Sequence, residues 1–230
     1  MAKRLALGWA LILSAVAVAS AGDVAQFVNL GFSPDSRYFM FGQYGILEKN
    51  STPWADAFIV DVRANDYAPR GAKQFTSVHP VEPGTSALGA LLIALSDSVA
   101  QRKQYRIDHL LSGRLLYVLV DGAPAEDVLE FRDFPSGRTY KIALQQSIDP
   151  KAGVVRSSFR LAISVTEKDG KLRTISAGNP VISRTGVKGY HVKQIILAPD
   201  GNSLVFLVQK EEQDSHGDNI RYMVETVRVN

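Results

Sequence analysis

The segment QKEEQDSHGDN, Gln209 to Asn219, holds the densest set of groups in the chain that could bind a cation. Glu211, Glu212, Asp214, His216 and Asp218 would offer mostly oxygen ligands, the kind Ca²⁺ prefers. Their order departs from the D-x-[DN]-x-[DN]-G spacing of a calcium loop, so the segment reads first as a long polar hairpin loop. A second acidic group, Asp121, Glu126, Asp127 and Asp133, could supply the paired carboxylates of a hydrolase acting on sugars or peptidoglycan. Turn chemistry and solvated strand ends account for the same four residues. Gly84-Thr85-Ser86-Ala87-Leu88-Gly89 approaches G-x-S-x-G, but its second glycine comes one place late and no strand precedes it. The histidines stand at 79, 109, 191 and 216, in no metal-binding spacing, and no phosphate or dinucleotide loop occurs. With no cysteine, thiol catalysis and disulfides are both excluded. No metal centre or cofactor is expected.

Two aromatic residues are further candidates. Tyr44 lies between glycines in GQYGI, and Trp54 follows a proline in STPWADAF. On loops, such rings can form a platform for a carbohydrate or peptide; beside a sheet edge they more often complete a core.

The elements that would position these groups are mainly strands. In SFRLAISVTE, Phe159, Leu161, Ile163 and Val165 alternate with Arg160, Ala162, Ser164 and Thr166, the period of a half-buried strand. Asp169-Gly170 then turns the chain back through Lys171 to Ser176. RTYKIALQQ alternates in the same way and follows DVLEFRDF across a Pro135-Ser136-Gly137 turn, which predicts a second hairpin. RLLYVLV, Arg114 to Val120, is apolar without alternation and is expected to be a strand covered on both faces. One stretch breaks the pattern: Leu88, Leu91, Leu92, Leu95 and Val99 recur at helical spacing. They predict one amphipathic helix over 86–105, its leucines on the core and Thr85 or Ser86 at its N-cap.

The amino-terminal residues carry a secretory signal. Lys3 and Arg4 precede the apolar run Leu5 to Val18, and Ala19-Ser20-Ala21 is a small-residue cleavage site. Cleavage after Ala21 would leave 230 − 21 = 209 residues, expected to form a single domain, 22–230, with no membrane span. Without a lipobox cysteine the product would be secreted or periplasmic. The formal charge of +3 falls to +3 − 2 = +1 once Lys3 and Arg4 are removed, and no basic stripe marks a nucleic-acid partner.

GFSPDSRYFMFG and LAPDGNSLVFLV share a turn flanked by apolar runs, and each is followed by a further strand, ADAFIVDVRAND or IRYMVETVRV. Phe32-Ser33-Pro34-Asp35-Ser36 with Phe58-Ile59-Val60-Asp61 resembles the TolB-type propeller repeat, and Ala198-Pro199-Asp200-Gly201 is a looser match. Blades repeat every ~40–45 residues, whereas Pro34 and Pro199 are 199 − 34 = 165 positions apart with dissimilar elements between them. The expectation is therefore a mainly β (α+β) fold of antiparallel sheets rather than a full propeller. Blade-like hairpins from both ends should pair into a common sheet system. The same stretches, with IDHLLSGRLLYVLVDG, resemble a family of predicted secreted bacterial proteins with a domain of unknown function. That resemblance implies export and no particular activity.

These features favour a non-enzymatic exported protein that binds a peptide, protein or envelope component through loops and sheet edges. Tyr44, Trp54, Glu211, Glu212, Asp214 and Asp218 are its candidate contacts. An exported hydrolase with paired carboxylates, or a scaffold without a ligand, are the alternatives.

Overall fold

The computed structural model describes residues 23–150, 154–214 and 217–230; the expected signal segment and its expected cleavage site lie outside the described residues. Four layers stack face to face. The first sheet is a meander of β1 (Gln26–Phe32), β2 (Tyr38–Leu47), β3 (Thr52–Asp61) and β4 (Asp66–Thr76). Helices α1 (Leu88–Asp97) and α2 (Val99–Gln104) cover its outer face. A central sheet has the order β13-β12-β11-β5, from β5 (Arg114–Val118), β11 (Val187–Leu197), β12 (Ser203–Asp214) and β13 (Gly217–Arg228). The third sheet contains β6 (Val128–Asp133), β7 (Arg138–Asp149) and β8 (Arg156–Thr166), with β9 (Leu172–Ala177) and β10 (Arg184–Thr185) sharing one edge of β8. All strand pairings in these sheets are antiparallel, and the described residues close into neither a barrel nor a propeller.

Side-chain alternation explains the stacking. In the first sheet, Met40, Ala55, Ala57 and Ile59 face the helices. Phe39, Phe41 and Val60 face Ile196, Ala198 and Val205 of the central sheet region. From the same central strands, Val192, Ile195, Leu204, Phe206 and Val208 face the third sheet, where Tyr140, Ile142, Phe159, Leu161 and Ile163 meet them. Ser203 to Val208 is consequently buried without interruption. A strand with a core on each side has no solvent face and shows no alternation.

The two Pro-Asp turns have the same construction. Ser33 N donates to Tyr38 O and Ser36 N to Ser33 O; Ala198 N donates to Ser203 O and Gly201 N to Ala198 O. The fourth residue of each is left-handed, Ser36 at φ 55° and Gly201 at φ 69°. The turns also touch, the Asp200 amide donating to Ser36 Oγ at 3.1 Å.

Several expectations are corrected. The end hairpins belong to separate sheets stacked through aromatic cores, rather than to a shared one, because both faces of β2 and of β12 are apolar. The helix breaks at Ser98, whose hydroxyl and amide both bond to Leu95 O, so two short helices replace one. The face of α1 on the sheet is Ala90, Leu91 and Ala94, while Leu88 and Leu92 are exposed. Small residues let the helix lie close: a Cβ at Gly42 would stand 2.7 Å from Leu91 Cδ1. Ala87, without a side-chain bond, occupies the N-cap, although Ser86 Oγ accepts from the Leu88 amide. Arg114 to Val118 is an edge strand with Leu115 and Val118 exposed. The expected loop 209–219 is instead a paired hairpin: β12 and β13 remain in register out to Asp214 opposite Gly217.

Candidate functional site

The residues singled out by type do not converge. Trp54, at 6% exposure, is packed between the first and central sheets with Ala25, Leu207 and Tyr222. Its Nε1 donates to Asp23 Oδ2 at 3.2 Å, and the Arg221 guanidinium lies 4.3 Å from its ring centre. Tyr44 is half-buried on β2 and lines a recess of about 460 Å³ with Asp23, Glu48 and Ser86. Along the β12–β13 hairpin each described carboxylate has its own basic neighbour. Glu211 meets His191 at 3.1 Å, Glu212 meets Lys210 at 2.6 Å, and Asp218 meets Lys188. Asp214 closes β12 opposite Gly217; its side chain and all of His216 lie outside the described residues. Among the described residues no three His, Asp or Glu side chains are placed to hold a metal ion.

The second acidic group is dispersed as well. Asp121 projects into solvent beside Lys193. Asp133 is fully buried at the end of β6, where it takes a bidentate bond from Arg114 at 2.5 and 2.8 Å and a further bond from Ser136. The Arg114 bond, seconded by Ser136, holds the Asp133 carboxyl below its ordinary range against the opposing effect of burial. That carboxylate is a structural anion that ties β5 to the β6–β7 turn.

A different place does bring functional groups together. Where the edges of the three sheets stack, a groove of about 420 Å³ opens. The β3–β4 turn and the start of β4 supply Asn65, Asp66 and Tyr67; the β9–β10 connection supplies Gly178, Asn179 and Ile182; Arg184 comes from β10, and Val224 and Glu225 from β13. Glu225 is only 6% exposed. Its Oε2 accepts from Asn65 Nδ2 at 2.5 Å and from the Gly178 amide at 3.1 Å, while Oε1 faces Arg184 Nη2 at 4.0 Å. Gly178 is left-handed at φ 78°, and a Cβ there would be 3.2 Å from Phe159, so glycine allows this amide to reach the carboxylate. The Arg184 guanidinium lies over the rings of Phe159 and Tyr190, at 5.4 and 5.9 Å, which fixes its position.

The strand edge at the groove is almost fully occupied. Outward amides of β13 donate to Asp23 O from Ile220, to Gln43 Oε1 from Tyr222, and to Asn65 Oδ1 from Thr226. Val224 belongs to the same outward phase, and it lies in the groove wall. Above this polar floor the rim is apolar: Tyr67 and Ile182 are half-exposed and the neighbouring Val181 is 86% exposed. Burial pushes the Tyr67 hydroxyl above its usual range, with Asp56 adding to the effect, so it remains a neutral donor at neutral pH.

Sequence reasoning missed this constellation. Glu225 carried a readable signal, an acid set among valines and threonine in a strand otherwise rich in apolar residues. Arg184 and Gly178 sit in a short irregular connection with no periodicity to flag them.

Residues 40–228 match the model of a family described as "Predicted secreted protein (DUF2259)". The chain belongs to this family. The match extends from within β2 to the end of β13 and therefore includes every groove residue. The family description places the DUF2259 chain outside the cytoplasm, and no helix among the described residues is long and apolar enough to cross a membrane. A search of the curated proteins found no match.

Proposed function

We propose that this DUF2259 protein is a non-enzymatic binding protein that holds a peptide, protein or envelope component in the groove where its three sheet edges meet. The observation that carries this reading is a preformed polar floor, Glu225, Arg184 and Asn65, beneath a rim of Tyr67 and Ile182. Binding sites combine apolar walls with a few fixed polar groups in this way. The groove lining includes no serine, histidine or lysine that could act as nucleophile or base. Asp121, Glu126, Asp127 and Asp133, the acids of the hydrolase alternative, lie outside it. Tyr44 and the hairpin acids Glu211, Glu212, Asp214 and Asp218 stand on other faces, where any contact they make would be accessory.

Cross-linking of tagged protein in its native envelope tests the reading. Partners recovered with the wild type should be lost with Ile182→Glu in the groove rim and kept with Phe134→Glu, which alters another exposed apolar residue. Equal recovery with both variants would remove the groove as the site. Partner cleavage that stops on Asp121→Asn or Glu126→Gln in folded protein would put the hydrolase first.

A further inference from the structure

We infer that the groove takes one residue of an extended, uncharged peptide segment as a strand partner for Val224; this rests on the groove being the binding site. The inference starts from the polar groups that the fold leaves without a partner there. The amides of Ile220, Tyr222 and Thr226 point outward from β13 and are taken by Asp23 O, Gln43 Oε1 and Asn65 Oδ1. Val224 falls in the same phase of an unbroken register, so its N–H and C=O leave β13 together on the outward side. Neither bonds to another group among the described residues, and Val224 is only partly buried in the groove wall. A second donor is also free: Arg184 Nη1 is buried and has no acceptor. The acids of the lining are already engaged. Glu225 accepts from Asn65 and Gly178 and faces the Arg184 guanidinium, and Asp66 accepts from the Tyr67 amide.

The form of the ligand follows from this set. Two free donors and one free carbonyl are the complement of an extended residue, whose C=O accepts and whose N–H donates on one side. A carboxylate would satisfy the donors alone. The lining, however, sets two acids, Asp66 and Glu225, against the single base Arg184, and leaves no positive charge to spare for an anion. The Arg184 guanidinium makes no hydrogen bond among the described residues, because its Nη2 stands 4.0 Å from Glu225. Its side chain is 23% exposed at the groove, so a small turn toward an incoming carbonyl gives Nη1 an acceptor without breaking a bond. The footprint is short. The next hydrogen-bonding positions along β13 are Tyr222 and Thr226, and side chains of the first sheet already hold their amides. The ligand therefore pairs through a single residue rather than adding a full strand. Tyr67 and Ile182, half-exposed in the lining, offer apolar contact to its side chain.

The test titrates three peptides into ¹⁵N-labelled protein lacking residues 1–21. They are acetyl-Thr-Val-Thr N-methylamide, the same peptide with its valine nitrogen methylated, and acetyl-Thr-Val as the free acid. The first should shift the Val224 amide most, with Gly178 and Tyr67 following. Methylating the valine nitrogen should weaken binding by about fivefold or more, the worth of one hydrogen bond, and the free acid should bind less well than the capped peptide. Arg184→Met, which keeps a stem against Phe159 and Tyr190, should lower the affinity of the capped peptide several-fold. If that variant fails to fold, the comparison of the three peptides on the unaltered protein decides by itself. Equal binding of the methylated peptide, or tighter binding of the free acid, would leave the groove as the site and overturn pairing with Val224. Shifts confined to other surfaces, or no shift with any peptide, would also overturn the inference, while the Ile182→Glu cross-linking result judges the groove independently.

Discussion

Asp133, fully buried, and Asp56, half-buried, are two aspartates whose surroundings push them in opposite directions. Arg114 and Ser136 hold the Asp133 carboxyl below its ordinary value. The stability it contributes is therefore present above the unfolded carboxylate range, near ~3.9, and is lost as pH falls through the lower folded value. Arg114→Met should cost about 1–2 kcal/mol at pH 7, less than for a fully enclosed pair because Arg114 is 42% exposed. It should also flatten the acid-side decline of the urea midpoint measured between pH 6 and 3. Asp56 is raised, first by burial, and the bonds from Gln43 and Gln74 only partly oppose this. A raised acid holds its proton more tightly in the folded state, so its ionisation removes stability as pH rises through the carboxylate range. Asp56→Asn keeps an acceptor for Gln43 and should leave stability at pH 7 unchanged or raise it by up to about 1 kcal/mol. A clear loss of thermal midpoint would show that the charge itself is needed there.

At the scale of the element, α1 separates hydrophobic spacing from actual burial. Its leucines repeat as a stripe should, yet the helix rests on Ala90, Leu91 and Ala94 over Gly42 and leaves Leu92 at 59% exposure. Leu91→Ala should therefore cost about 2–4 kcal/mol, since its slot is closed by backbone and cannot collapse. Leu92→Gln should fall within about 0.5 kcal/mol of wild type. Equal effects in denaturant titrations would mean that the helix sits rotated from this orientation. The β12–β13 hairpin makes the complementary point. Polar composition suggested a loop at 209–219, but neighbouring strands supply ladder partners for these backbones, as in the pairing of Glu211 with both Gly189 and Ile220. Exposed ends of long hairpins are polar and still regular.

For the whole molecule, the central sheet supports a core on each side. Phe206 points into the core shared with the third sheet and Val205 into the one shared with the first. Phe206→Ala should cost about 3–5 kcal/mol. Damage there should not be confined to one core, because both cores share β12. We expect one cooperative unfolding transition, as a single domain would give. In protein lacking residues 1–21, Trp54 is the remaining tryptophan and reports on the first and central sheets. Its fluorescence should change at the same denaturant concentration as the far-ultraviolet circular dichroism. Two separated midpoints would mean that the third sheet folds as a unit of its own.

Strand content, the Asp169-Gly170 and Pro135-Ser136-Gly137 hairpins and the two Pro-Asp turns were legible in the residues, because each rests on local preferences: alternation, fixed proline φ, and left-handed glycine. Export was legible for the same reason, from a linear pattern of residues. Which apolar run would be covered on both faces was not. RLLYVLV and SLVFLV look alike as strings, and only the order in which strands add to the central sheet put the first at an edge and the second inside. The groove was the least legible feature. Asn65, Gly178, Arg184 and Glu225 are scattered over the 225 − 65 = 160 positions between the first and the last, and nothing in their local sequence binds them to one another. Sheet stacking alone brings the four together, around a carboxylate buried to 6% exposure.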